Sequence, residues 1–261
     1  MSFVKRRLDV TLRLGEGAFG ESGFNTVKFS GVRCSATINI GNSVDQGQLT
    51  LRAWGLPLSV MNRMTLLKQD LKEKVSVAAN SVTLEAGDDQ AGMSVVFQGN
   101  ISQCIADFAG MPDTSMVLVA HVGLADALKP VAPKSYRGPV SAATIMKDIA
   151  ATMGRPFENN GVTTIMSDTY LPGSSIDQVR KVVQTCDIHA AIDCKSGALA
   201  IWPLDGVRGT RIYQLSKDTG MVGYPAYSEA GISLISLYIP SLSIGDRVQV
   251  ESQLLAASKI W

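Results

Sequence analysis

The stretch Val32-Arg33-Cys34-Ser35-Ala36-Thr37-Ile38-Asn39-Ile40 alternates apolar and polar residues without a break. A period of two places Val32, Cys34, Ala36, Ile38 and Ile40 on one face of a strand and the polar residues on the other. The same pattern lies on both sides of it. Leu8, Val10, Leu12 and Leu14 alternate with Asp9, Thr11 and Arg13, and Leu49, Leu51 and Ala53 with Gln48, Thr50 and Arg52. Val82, Leu84 and Ala86 lead into a turn at Gly87-Asp88-Asp89. Met93 to Gln98, a turn at Gly99-Asn100, Ile101 to Phe108 and Met116 to Val122 continue the series, with one short helix expected from about Ser59 to Leu67. A succession of strands with one buried and one wet face predicts a barrel or a sandwich.

The period changes after Lys129-Pro130-Val131-Ala132-Pro133-Lys134, a segment with two prolines that reads as a linker. Ser141 is an N-cap candidate, and Ile145, Met146, Ile149 and Met153 share a helical stripe that stops at Gly154. Ser174 and Asp177 have capping-box spacing ahead of a second stripe, Ile176, Val179, Val183 and Cys186. Two strands follow, Ile188 to Asp193 and Ala198 to Trp202, with a turn at Lys195-Ser196-Gly197. Strand-like patterning resumes from Gly220, with Ile232 to Tyr238 and, after Ile244-Gly245-Asp246, Arg247 to Ser252.

Composition narrows the function classes. Of 261 residues, 46% are apolar and 18% charged, and 24 Lys and Arg against 23 Asp and Glu leave a net charge of +1. A protein devoted to neutralising phosphates carries a strongly basic footprint, so no sequence-specific nucleic-acid partner is expected. The four cysteines, Cys34, Cys104, Cys186 and Cys194, form no CxxC pair, which argues against a zinc ribbon or a disulfide scaffold and for reduced thiols in a protein made inside the cell. Lys5-Arg6-Arg7 is followed by Asp9, Arg13 and Glu16 rather than an apolar run, so no secretory leader is expected. The longest apolar run, Met116 to Ala120, is far too short to span a bilayer, and no membrane partner is expected.

Several motifs carry possible chemistry, and each has a simpler structural reading. Gly15-Glu16-Gly17-Ala18-Phe19-Gly20 fits GxGxxG and follows a strand. A dinucleotide site needs a helix next, but Glu21 to Val27 reads as turn and strand. Lys28 could mimic an ATP-binding lysine, yet Ser22 stands where the kinase pattern wants Val. Asp107-Phe108-Ala109 matches the metal-binding triplet only loosely, and neither His121 nor His189 precedes Arg-Asp. A glycine-rich hairpin loop is the better reading. Asp187, His189 and Asp193 share odd parity and could ligate a divalent metal from one face of a strand. The blander alternative puts Ile188, Ala190, Ile192 and Cys194 on the buried face and the acids and His on the wet one. A Cys–His dyad stays open, because such partners meet in space. Asp88-Asp89 suits a turn, and Lys5-Arg6-Arg7 a solvated or interface edge. No catalytic residue, cofactor-binding residue or metal ligand is assigned, and the chain is not expected to be an enzyme.

The C-terminal third carries a family pattern: Thr219-Gly220-Met221-Val222-Gly223-Tyr224-Pro225, then Gly231-Ile232-Ser233-Leu234, Leu237 and Pro240, closed by Ile244-Gly245-Asp246-Arg247-Val248-Gln249-Val250-Glu251-Ser252. It resembles the baseplate hub proteins of contractile-tailed bacteriophages, and the resemblance extends over about 135–252. The resemblance implies a β-rich α+β chain with two tube-protein-like β-barrel or sandwich domains and a small α/β insert between them. Residues 1–130 would form the N-terminal barrel, 131–217 the α/β domain, and 218–261 strands of a second barrel. It also implies a structural virion protein of the tail baseplate, assembled in the host cytoplasm. Three copies would form a ring that joins tail tube proteins to the central spike, beside other baseplate subunits, and would help initiate tail assembly. A tail tube or tube-initiator protein, or a cell-wall hydrolase of the injection apparatus, is the alternative. Members of the family continue with a further strand, whereas here the sequence stops at Ala257-Ser258-Lys259-Ile260-Trp261. The expectation is that the last strand is cut short or that a partner chain completes the sheet.

Overall fold

The computed structural model describes residues 5–19, 23–41, 44, 47–65, 80–90, 92–229 and 231–252. The expected pairing of residues 253–261, and the last two residues of the helix expected to end at Leu67, lie outside the described residues.

The alternating segments become β1 (Arg6–Arg13), β2 (Thr26–Ser30), β3 (Cys34–Asn39), β4 (Gln48–Trp54), β5 (Ser81–Asp88), β6 (Gly92–Asp107) and β7 (Ser115–His121). They form one antiparallel sheet in the order β2-β1-β5-β6-β7-β4-β3. The inward positions are those the alternation selects: Val10, Leu12, Leu49, Leu51, Ala53, Val82, Leu84, Met116, Leu118 and Ala120 are buried together. A short helix, α1 (Leu58–Met64), adds Val60, Met61 and Met64 to this core.

Hydrogen bonds do not close the sheet among the described residues, but the chain does. β2 and β3 sit at opposite ends of the strand order, yet only residues 31–33 connect them. Four peptide units reach at most about 14 Å, so the two edges meet at that corner and the sheet is rolled. Six antiparallel neighbour steps also leave β2 and β3 running in the same sense. They therefore act as one bent strand that pairs with β1 before the bend and with β4 after it.

Two expectations are corrected here. Gly99-Asn100 is not a turn, because β6 runs straight through it, pairing with β5 as far as Asn100 and with β7 from Asn100 onward. Glycine is needed for close approach, since a Cβ on Gly99 would stand 2.8 Å from the His121 carbonyl oxygen. Asp9 is not on a wet face but is 3% exposed. It is neutralised by Arg7 (3.3 Å) and Lys28 (3.5 Å), as a buried carboxylate has to be.

After α2 (Leu124–Leu128) comes the α/β unit. It has β8 (Lys134–Ser141) paired with β10 (Ile165–Leu171), and the three-stranded order β11 (Ile188–Ile192), β12 (Leu199–Pro203), β9 (Phe157–Asn159). Between them pack α3 (Ala142–Met153) and α4 (Ser175–Cys186). Ser141 and the left-handed Gly154 bound α3. The Ser174–Asp177 capping box opens α4: the Asp177 amide donates to Ser174 Oγ (3.3 Å) and the Ser174 amide to Asp177 Oδ2 (3.0 Å). The inner face of α4 is Ile176, Val179, Val182 and Cys186, so Val182 takes the fully buried place expected for Val183. Burying each such aliphatic side chain contributes roughly 1.5–3 kcal/mol.

The C-terminal segment adds β13 (Ile212–Leu215) parallel to β16 (Arg247–Val250), and β14 (Met221–Ser228) antiparallel to β15 (Gly231–Ser236). The principal core runs from Val10 to Ile201 and takes in both the rolled sheet and the helices. Nothing C-terminal of Ile201 among the described residues belongs to it.

Candidate assembly surface

The hairpin β14–β15 departs from everything before it. Its two strands pair only with each other among the described residues. Val222 lies opposite Ile235 across the ladder, and Tyr227 opposite Ile232. Between the two pairs the register slips, leaving Gly223, Tyr224 and Pro225 opposite Leu234 alone. The slip is a bulge, the left-handed Gly223 (φ +72°) provides its bend, and Tyr224 is 69% exposed there. Ile235 is 68% exposed, and Val222, Tyr227, Leu237 and Tyr238 are exposed as well. Both faces thus carry apolar side chains. An isolated two-stranded ribbon is marginal in water.

The hairpin is also electrically blank. From Thr219 to Gly245 the sequence holds one charged residue, Glu229. Charge depletion with exposed tyrosine and aliphatic groups is the composition of an interface core. That signal was present in the sequence, but alternation alone cannot separate a strand that faces a core from one that faces a partner.

The base of the hairpin is held mainly by polar contacts. Arg208 is 8% exposed and forks onto Glu158 Oε2 through Nε (3.0 Å) and Nη2 (2.8 Å), while its Nη1 donates to Asp193 Oδ2 (2.5 Å). Burial acts to raise the Asp193 carboxyl, but the Lys195 amide (2.7 Å), the Arg208 guanidinium and the Ser196 amide (3.1 Å) outweigh it and hold the pKa low. Lys195 Nζ donates to the Pro240 carbonyl (2.6 Å) and to that of Leu242. Ile244 packs on Trp202.

This arrangement disperses the residues the sequence singled out for metal binding. Asp187 is the left-handed C-cap of α4, His189 Nε2 lies 3.2 Å from the Leu204 carbonyl, and Asp193 is committed to Arg208. The expected wet face is corrected for Asp193, which is 6% exposed. One side of β11 faces the principal core, and on the other Ala191 is buried beside Ala200 and Trp202 of β12, with Ile244 packed against them. Among the described residues no cluster of three His, Cys, Asp or Glu side chains forms a metal cage.

The other motifs also take structural places. β1 and β2 pair as a hairpin, and in the described parts of the connection Gly15 N donates to Asn80 Oδ1 (2.9 Å) and Phe19 N to the Phe24 carbonyl (2.8 Å). Gly20 lies outside the described residues. Lys28 pairs with Glu85 (2.5 Å), which raises its pKa. Asp107 pairs with Arg52 (2.7 Å). Asp88 accepts the Gln90 amide (2.8 Å) in the β5–β6 turn, and Arg7 pairs with Asp89 (3.3 Å). Burial pushes the Cys104 thiol up to about 12 and raises Cys34, Cys186 and Cys194, the reverse of an activated nucleophile.

The same fold recurs in solved structures of tail proteins and of a secretion-system component. A component of the E. coli type VI secretion system, described as structurally similar to T4 bacteriophage tail proteins gp27 and gp5, aligns at TM-score 0.52 and 12% identity over 96% of this chain and 64% of that one. A tail protein from Neisseria meningitidis aligns at TM-score 0.51 and 11% identity over 96% and 73%. The 43 kDa tail protein of prophage MuSo2 from Shewanella oneidensis aligns at 0.50 and 10% over 85% and 63%. The chain thus spans less than two thirds of the first and third of these relatives. A comparison with curated proteins finds no match. The model of the family described as baseplate hub gp41 matches residues 8–257, and the chain belongs to that family.

Proposed function

We propose that the chain is a structural hub of the tail baseplate, which joins the tail tube to the central spike and helps initiate tail assembly. Three copies close into a ring, with tail tube proteins on one side, the spike on the other and further baseplate subunits around them. The protein is assembled in the host cytoplasm and acts without catalysis, cofactor or metal. In this reading 1–130 is one tube-like unit, 131–217 the insert, and 218–261 part of a second unit.

The observation that carries the proposal is the β14–β15 hairpin, a tyrosine-bearing ribbon whose strands carry no charge and whose one charged residue, Glu229, lies in the turn, exposed on both faces above an anchored base. Such a surface suits repeated contacts between identical copies, because it brings no like charges together. Sedimentation of the purified chain tests it, and a trimer is the expected species. A sixfold ring would instead favour a tube or tube-initiator protein, and a stable monomer with peptidoglycan-cleaving activity would favour a hydrolase.

A further inference from the structure

The turn at residues 193–197 touches every major part of the molecule. From the rolled sheet, the Gln98 amide donates to the Cys194 carbonyl (2.7 Å) and Gln98 Nε2 to the Lys195 carbonyl (2.6 Å). From the α/β unit, Arg155 Nη1 donates to the Gly197 carbonyl (3.1 Å) while its Nε and Nη2 hold Asp126 of α2 (2.8 and 2.7 Å). From the C-terminal segment come Arg208 on Asp193 and the two carbonyls that Lys195 Nζ reaches at Pro240 and Leu242.

These contacts differ in kind. The rolled sheet and the helices are joined to each other by a continuous apolar core that ends at Ile201. The C-terminal segment shares none of it among the described residues. Leu215 and Val250, its buried aliphatics, sit on the strands β13 and β16 that pair with each other. Among the described residues its attachment includes the Arg208 fork, the Lys195 amine and the packing of Ile244 on the patch of Ala191, Ala200 and Trp202, whereas the Arg208 amide on the Gly245 carbonyl (2.8 Å) ties the segment to itself.

We propose that residues 208–250 form a docked arm, latched to the rest of the molecule by Arg208 and Lys195, that can leave as a unit while the first 203 residues stay folded. Polar contacts that share one network are coupled, so losing one weakens the others. Regions with few shared apolar contacts open below the global unfolding free energy. Undocking would change where the exposed hairpin is presented without altering the hairpin itself.

Hydrogen exchange of the full chain tests this. In the double variant Arg208→Met, Lys195→Met, amides of β13, β14, β15 and β16 are expected to exchange at least about tenfold faster than in wild type, with β4 to β7, α3 and α4 unchanged. Unchanged exchange in the C-terminal strands, or an equal rise throughout, would overturn the proposal. If the double variant does not fold, wild-type protein in rising guanidinium gives the answer. The C-terminal strands should open at lower denaturant than β4 to β7, and simultaneous opening would overturn the arm.

Discussion

At the scale of single residues, two glycines of the C-terminal segment have different tasks, Gly223 at the bulge inside β14 and Gly245 just ahead of β16. Both are left-handed, Gly223 at φ +72° and Gly245 at φ +88°. A Cβ on Gly223 meets nothing within 4 Å, whereas one on Gly245 would stand 2.9 Å from Arg208 Cβ and 3.1 Å from the Trp202 ring. Gly223→Val should therefore cost only backbone strain, about 1–3 kcal/mol. Gly245→Val should cost more and lower the melting temperature further, because it also pries Ile244 and Arg208 off their seats. Equal melting temperatures for the two variants would contradict this. Asp193 gives a second prediction. Its folded pKa is depressed, so its contribution is complete above the unfolded value of ~3.9 and is lost as pH falls from there through the folded pKa. Wild type should lose stability on going from pH 5 to pH 2. Asp193→Asn, already weaker at pH 7, should lose less over the same interval, as read from urea midpoints.

At the scale of elements, what the sequence revealed depended on how a segment is stabilised. β1, β4 and β7 bury one face in their own core, so their alternation was readable. The Ser174–Asp177 box was readable too, since capping is local chemistry, and Ser174→Ala should lower stability by about 1 kcal/mol in denaturant melts. β8 was missed because Ser135, Arg137, Gly138 and Pro139 carry no apolar period, and its strand exists through pairing with β10. The Gly99 turn was misread because a strand that changes partners midway looks locally like two. Arg208 gave no signal, since its partners Glu158 and Asp193 are far away in sequence. The hairpin was readable as strand but not as surface. Changing it by Tyr224→Asp with Ile235→Asp should leave the circular dichroism spectrum intact and abolish the trimer in sedimentation. Loss of folding would mean that the hairpin is core, and an intact trimer would place the interface elsewhere.

At the scale of the whole molecule, the corner between β2 and β3 sets a condition on the order of events. The bent strand gains its two flanks, β1 and β4, from neighbouring sequence, but those flanks are completed by strands that come much later: Asp9 lies beside Glu85, and Leu51 beside Leu118. During synthesis the first four strands leave the ribosome as two hairpins with their apolar faces uncovered. They wait for β5 and β7 before any of the sheet can roll up. The chain is then most vulnerable to the wrong partner while it is still short and other copies of it are being made nearby. Its yield in the cell should accordingly respond to translation speed and to chaperone supply more than to the stability of the finished protein.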